Sequence, residues 1–250
     1  LKINILGVTP LDFSINSTLD SIKEFLSRHF EIISTFAMGS SIEDIQRAGE
    51  ADVNLVISSV GVLAAKVLEE RFHTPYVIGT PIIGFENVLA EKLIESAWTK
   101  KSQTAYFNVS QKAHKKDTAN STTIQNTEAV SNLKKIRSLT ETIEKNKVSG
   151  NVYIIGESVI SQSLKAALAL RYGIEATVIC PLETEPEYTE KDVLLLSSEE
   201  DIKEAITDAD TVIADPIYKT ICSEKVNFVA MPHEAYSGRI YRKEVCDFIH

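Results

Sequence analysis

The chain has 250 residues, 44% hydrophobic and 24% charged, with a mean hydropathy of −0.03; this is globular composition, enough for one large domain or two of about 100–125 residues. With 35 acidic against 26 basic residues the net charge is −9, which argues against non-specific nucleic-acid or anionic-membrane binding, since both need a basic face. No apolar run approaches the ~20 residues of a transmembrane helix and no signal segment opens the chain, while Cys180, Cys222 and Cys246 stand apart without a CxxC pair, as reduced thiols of a cytoplasmic protein.

In chain order, Lys2–Leu6 reads as a strand ending at Gly7. Ser17 is placed to cap a helix to about Arg28, with Leu19, Ile22, Phe25 and Leu26 on one face. Glu31–Phe36 follows as a strand, Ser41–Gly49 as a short helix, Asn54–Ser58 as a buried strand, Gly61–Arg71 as a helix and Pro75–Gly79 as a strand. The pattern recurs with strand Asn151–Gly156, helix Ser161–Tyr172, strand Glu175–Cys180, helix Ser198–Thr207 and strands Thr211–Ala214 and Asn227–Met231. Such alternation with short connections predicts parallel sheets carrying helices on both faces, the α/β doubly wound class. The two halves correspond in detail. Asp44-Ile45 matches Asp201-Ile202, Ala51-Asp52 matches Ala209-Asp210, and Pro75-Tyr76-Val77 matches Asn227-Phe228-Val229. Two Rossmann-like units are expected, 1–98 and 151–250, joined by 99–150.

That joining segment carries a charge of about +6, against −15 for the remainder. Lys112–Thr127 is polar and rich in Ser, Thr and Asn, as exposed or disordered loops are. Glu128–Lys147 spaces Val130, Leu133, Ile136, Leu139 and Ile143 as one helix face. The basic excess is either a docking surface for an acidic partner or a solvated face.

Open α/β sheets bind ligands beyond the carboxyl ends of their strands, so the residues just after each strand are the candidates. Ser58, Ser59 and Gly61 precede a helix start, where free backbone N–H groups can hold an anion; Glu157 and Ser158 occupy the same place in the second half. Asp215 is either a general base or a cap before Pro216. His233 follows the last strand at the rim, where imidazole can ligate a metal or transfer a proton, or simply hydrogen-bond backbone to fix a turn. His29, His73, His114 and His250 fall at helix ends, in loops or at the terminus. GxGxxG, GxxxxGK[ST] and GxSxG are all absent, which excludes the dinucleotide fingerprint, the P-loop and the hydrolase elbow. No cofactor motif is evident in the chain.

Ala51-Asp52-Val53-Asn54-Leu55-Val56, then Leu68-Glu69-Glu70-Arg71-Phe72-His73-Thr74-Pro75-Tyr76 and Pro81-Ile82-Ile83-Gly84, resembles nitrogenase component 1-type oxidoreductases. The middle domain of that family carries an A-x-x-N-L-V … L-E-E-[RK]-[FY]-G-x-P … G run. Tyr236-Ser237-Gly238 after His233 resembles the end of its third domain. The resemblance implies the second and third of three Rossmann-like domains, a metal cluster or a tetrapyrrole in the interdomain cleft, a homologous partner subunit, and an ATP-dependent iron–sulfur reductase as electron donor. It also implies a preceding domain with cluster-binding cysteines. Three departures matter. Ser58-Ser59 stand where the catalytic subunit has its cofactor cysteine, the cofactor histidine aligns with Pro232 rather than His233, and His73 replaces a glycine. Serine is a poor substitute for a thiolate, so a nitrogenase-like homologue of unassigned substrate, or an assembly scaffold, fits better than a dinitrogen-reducing subunit. Within that role His233 is a ligand or proton donor, and Ser58, Ser59, Glu157 and Ser158 line the cleft. The alternatives are a non-enzymatic two-lobed binder of a small molecule or metal chelate, and a hydrolase built on serine and His233.

Overall fold

The computed structural model describes residues 1–13, 18–109, 137–241 and 245–249. The expected Ser17 cap, the Lys112–Thr127 stretch, residues 128–136 of the expected helix, and His114 and His250 lie outside them. The first half runs β1 (Lys2–Leu6), α1 (Pro10–Phe13), α2 (Thr18–Ser27), β2 (Glu31–Thr35), α3 (Ile42–Gln46), β3 (Val53–Val56), α4 (Val62–Phe72), β4 (Tyr76–Ile78), α5 (Glu86–Thr99) and β5 (Gln103–Thr104). Then come β6 (Arg137–Ser138) and α6 (Leu139–Lys145). The second half runs β7 (Val152–Ile155), α7 (Ser158–Tyr172), β8 (Ala176–Cys180), β9 (Leu194–Leu195), α8 (Glu199–Ala205), β10 (Thr211–Ala214) and β11 (Asn227–Ala230). It closes with α9 (Gly238–Tyr241) and β12 (Cys246–Asp247). Among the described residues no helix is long and apolar enough to cross a membrane.

Two five-stranded parallel sheets result, ordered β2-β1-β3-β4-β5 and β11-β10-β7-β8-β9. The expected α/β class with Rossmann-like parallel sheets is therefore what the chain adopts. Four strands correspond between the sheets, β2-β1-β3-β4 with β8-β7-β10-β11, and each sheet adds a two-residue fifth strand on the opposite edge. The correspondence extends to hydrogen bonds. Asp52 accepts from Lys2 N at 2.8 Å and Asp210 from Asn151 N at 2.8 Å, each aspartate clamping the start of the strand that opens its half, β1 or β7. Ser41 and Ser198 each cap a helix by accepting from Asp44 N and Asp201 N, so the repeated Asp-Ile pairs sit at the same position of two capped helices.

Two expectations change. Residues 137–138 are not helical but pair with Cys246–Asp247 as a small parallel ladder, and Leu139–Lys145 is the helical part of that segment among the described residues. Leu139 and Ile143 still face the core as their spacing requires. The second change is α5, where Leu89, Leu93 and Ala97 recur every four residues and are buried, an unassigned helix covering the first sheet.

The two sheets share one core. Every residue of α7 from Ser158 to Ala169 is buried, and Val159, Ile160, Leu164 and Leu168 join the same apolar cluster as Ile5, Val56, Ile78 and Phe85 of the first half. A helix that is buried all round lies inside a body rather than on its surface. Two of its polar residues are matched across the joint: Ser163 Oγ accepts from Thr80 N at 2.9 Å, and Gln162 Nε2 donates to Tyr106 OH at 3.3 Å.

Candidate functional site

The carboxyl ends of β1 and β3 in the first sheet face the amino end of α7 and the turn after β11 in the second. Gly7 has φ +81° and Gly61 starts the run into α4; a Cβ on Gly61 would lie 2.6 Å from Gly7 N and 2.8 Å from Leu6 C. Gly61 thus permits a close approach of two backbone segments, and Ser58 Oγ donates to Gly7 O at 2.6 Å to tie the same turn.

The anion position expected at Ser58, Ser59 and Gly61 is filled from within the chain. Glu157 caps α7, with Oε2 accepting from Ile160 N at 2.8 Å, while Oε1 reaches across to Ser59 N at 2.8 Å. Burial pushes the Glu157 carboxyl above the usual range, and bonds from the Ile160, Ser59 and Val159 N–H groups and the Ser59 hydroxyl pull against that shift. Ser158, the other expected residue here, is buried and shares a 3.0 Å hydrogen bond with Thr184 Oγ1.

Asp215 is buried and acts as a cap and a strap. Oδ1 accepts from Ile217 N at 2.9 Å; Oδ2 accepts from His233 N at 2.8 Å and Ser237 Oγ at 2.7 Å. That holds the 233–237 turn in place. His233 Nε2 lies 2.6 Å from Asp12 Oδ1, and Ala235 N donates to Nδ1 at 3.2 Å. A ring whose Nδ1 accepts carries a hydrogen on Nε2, so Nε2–H donates to the Asp12 carboxylate. Both ring nitrogens are engaged, and neither faces a serine. Asp12 in turn accepts from Thr9 Oγ1 at 2.5 Å. Asp12 is not among the residues singled out in the sequence, although Thr9-Pro10-Leu11-Asp12 has the Thr-x-x-Asp helix-start pattern with proline at the first helical position.

Asp12, Glu157, Ser161, Asp215, His233 and Tyr236 line a common cavity of about 40 Å³. The hydroxyls of Ser161 and Tyr236 are buried in it without a hydrogen-bond partner among the described residues. Burial also pushes the Tyr236 hydroxyl up to about 12, so it stays protonated. A larger hollow of about 1300 Å³ opens at the amino ends of the second sheet's strands, beside Asn151, Glu175 and Asp208. That is the wrong end of an open α/β sheet for ligand binding.

The residues at the joint do not fit a metal cluster or a tetrapyrrole. A 40 Å³ cavity admits a water or two. Iron–sulfur clusters need thiolates, and the nearby Cys180 is a buried thiol donating to Leu182 O at 3.5 Å, pushed up to about 11 by burial. Among the described residues no three His, Cys, Asp or Glu side chains converge as a metal site.

A family model described as nitrogenase component 1 type oxidoreductase matches residues 1–215. That span contains Ser58, Ser59, Gly61, Glu157, Ser158 and Asp215 and ends before His233. The chain is 32% identical over 83 residues to one subunit of the light-independent protochlorophyllide reductase of Nostoc punctiforme, a stretch covering 32% of this chain and 16% of that protein. The corresponding protein of Leptolyngbya boryana is 34% identical over 83 residues with the same shares. The matched stretch thus spans about a sixth of these relatives. A solved structure titled "Nitrogenase Cp1 at pH 6.5" superposes with a TM-score of 0.54 at 17% identity, covering 99% of this chain and 56% of that one. This last likeness concerns the fold.

Proposed function

We propose, for a chain that belongs to the nitrogenase component 1-type oxidoreductase family, a role as the body of a nitrogenase-like oxidoreductase subunit, with 1–98, extended by the edge strand β5, and 151–250 as its two α/β units. It works beside a homologous subunit and takes electrons from an ATP-dependent iron–sulfur reductase. Its substrate is of the tetrapyrrole class, and the redox centre lies outside the joint between the sheets. The observation that carries the reading is the family match across both sheets. Likeness to a subunit of protochlorophyllide reductase supports the multi-subunit setting and the substrate class.

Within this reading the chain's own residues position and hold protons. Asp215 fixes the backbone of the 233–237 turn, Asp12 holds the Nε2–H of His233, and the His233 side chain stays about one-fifth exposed. That makes His233 the group able to exchange a proton with solvent or substrate at the rim. The two-lobed binder makes a different demand. Lobes that close on a ligand need a separable polar cleft, whereas here a shared apolar core and a fully buried stretch of α7 fill the space.

The test is iron content. The complete protein, purified without oxygen with its homologous subunit, is expected to contain iron and show cluster absorbance. A complex without iron, strongly stabilised by one small molecule alone, would establish the binder instead.

A further inference from the structure

The donors around Glu157 come from two separate turns. Ser59 N–H belongs to the loop after β3, and Ile160 N–H to the first turn of the 15-residue helix α7, each 2.8 Å from a Glu157 oxygen. Convergent N–H groups at a helix start form an anion position, and no cationic side chain is needed to complete it. Independently, the Ser161 side chain is 1% exposed, lines the cavity beside Glu157, and its Oγ has no partner among the described residues. It is a buried donor without an acceptor among the described residues, in the cavity that Glu157 also lines. Buried polar groups in folded proteins are normally paired, so an orphan hydroxyl beside an anion position points to a ligand.

We propose that these groups form a carboxylate-binding site which the chain keeps closed with its own Glu157, so that a carboxylate-bearing ligand enters the joint by displacing that side chain. A carboxylate fits better than a phosphate. One oxygen meets the Ser59 side of the joint and one meets the α7 side, as Glu157 already does. A tetrahedral anion adds two oxygens, with one spare hydroxyl to meet them and about 40 Å³ of space. The site is a property of these turns and does not depend on the redox reading; it fails or stands without any activity measurement.

The test is chemical rescue in the full chain. Glu157→Ala removes the internal carboxylate and is expected to lower the thermal midpoint. Sodium formate at about 100 mM should then raise the midpoint of Glu157→Ala by several degrees and that of the wild type by a smaller, formate-specific amount, because there the ligand must first displace the side chain. Sodium chloride and sodium phosphate at matched ionic strength should not reproduce the rise. Adding Ser161→Ala to Glu157→Ala should weaken the formate response several-fold. If Glu157→Ala does not fold unaided, refolding yield in formate against chloride gives the same readout. No formate-specific rise in Glu157→Ala, no formate-specific rise in the wild type, or chloride acting as well as formate, overturns the proposal. A larger response to phosphate than to formate overturns the carboxylate assignment.

Discussion

Gly61 and Glu157 show how a residue placed by the sequence at a ligand position has a structural task there. Gly61 precedes a helix, as an anion loop would, yet its missing side chain makes room for the backbone of Leu6 and Gly7. Gly61→Ala is therefore expected to destabilise the chain by at least ~1–3 kcal/mol through overpacking, read as a lower urea midpoint; an unchanged midpoint would mean that the two segments separate freely. For Glu157 the effect is on pH dependence. Burial raises its carboxyl above the unfolded value of 4.5, so between 4.5 and the folded value the folded state holds a proton that the unfolded chain has lost. Its contribution is fully present below 4.5 and is lost as pH rises through the folded value. Tyr106 and Cys180 also face this carboxylate but are themselves held above their ordinary values, and Asp12, Asp215 and His233 lie across the cavity in wild type and variant alike. Glu157→Gln should thus remove part of the fall in stability that sets in as pH rises above 4.5, measured as urea midpoints of both proteins from that pH upward. Parallel profiles would contradict a raised carboxyl.

At the scale of elements, the regular strands and capped helices are readable because local chemistry decides them. Ser41-Ile42-Glu43-Asp44-Ile45 and Ser198-Glu199-Glu200-Asp201-Ile202 announce the same helix start twice, and the structure caps both. Helix α7, expected from Ser161, begins at Ser158, because Glu157 provides the cap in place of a serine. The edge strands β5 and β9 are not readable. Two residues each carry no periodicity, and they exist only through pairing with β4 and β8. The β6–β12 ladder is beyond local reading for the same reason, joining Arg137–Ser138 to the distant Cys246–Asp247. Nor is the depth of α7 legible. Its serines, Gln162 and Lys165 resemble a solvated face, but Ser163 and Gln162 are hydrogen-bonded across the joint and Lys165 is ion-paired to Glu190 and Asp192. Leu164, 1% exposed on this helix, is the direct probe. Leu164→Ala should cost ~2–5 kcal/mol as a core truncation does, whereas a surface leucine would cost well under about 1 kcal/mol.

For the whole molecule, the duplicated four-strand unit is visible in the sequence through paired landmarks, and the Asp52 and Asp210 clamps give those landmarks a physical cause. The relation between the units is not, since a cleft and a welded joint use the same strand and helix pattern. The shared core predicts a single cooperative unfolding transition, with far-ultraviolet circular dichroism and the near-ultraviolet circular dichroism of the packed tyrosines changing together. Two separated transitions would mean that the units are independent lobes. Function belongs to this scale too, because neither the joint nor its cavity fits a redox centre and the proposed activity is that of an assembly. The most direct measurement is electron transfer into the complete protein, assembled without oxygen with its homologous subunit. Addition of the iron–sulfur reductase and ATP should reduce the complex, and omission of ATP should prevent it; a complex that takes no electrons under either condition contradicts the assignment.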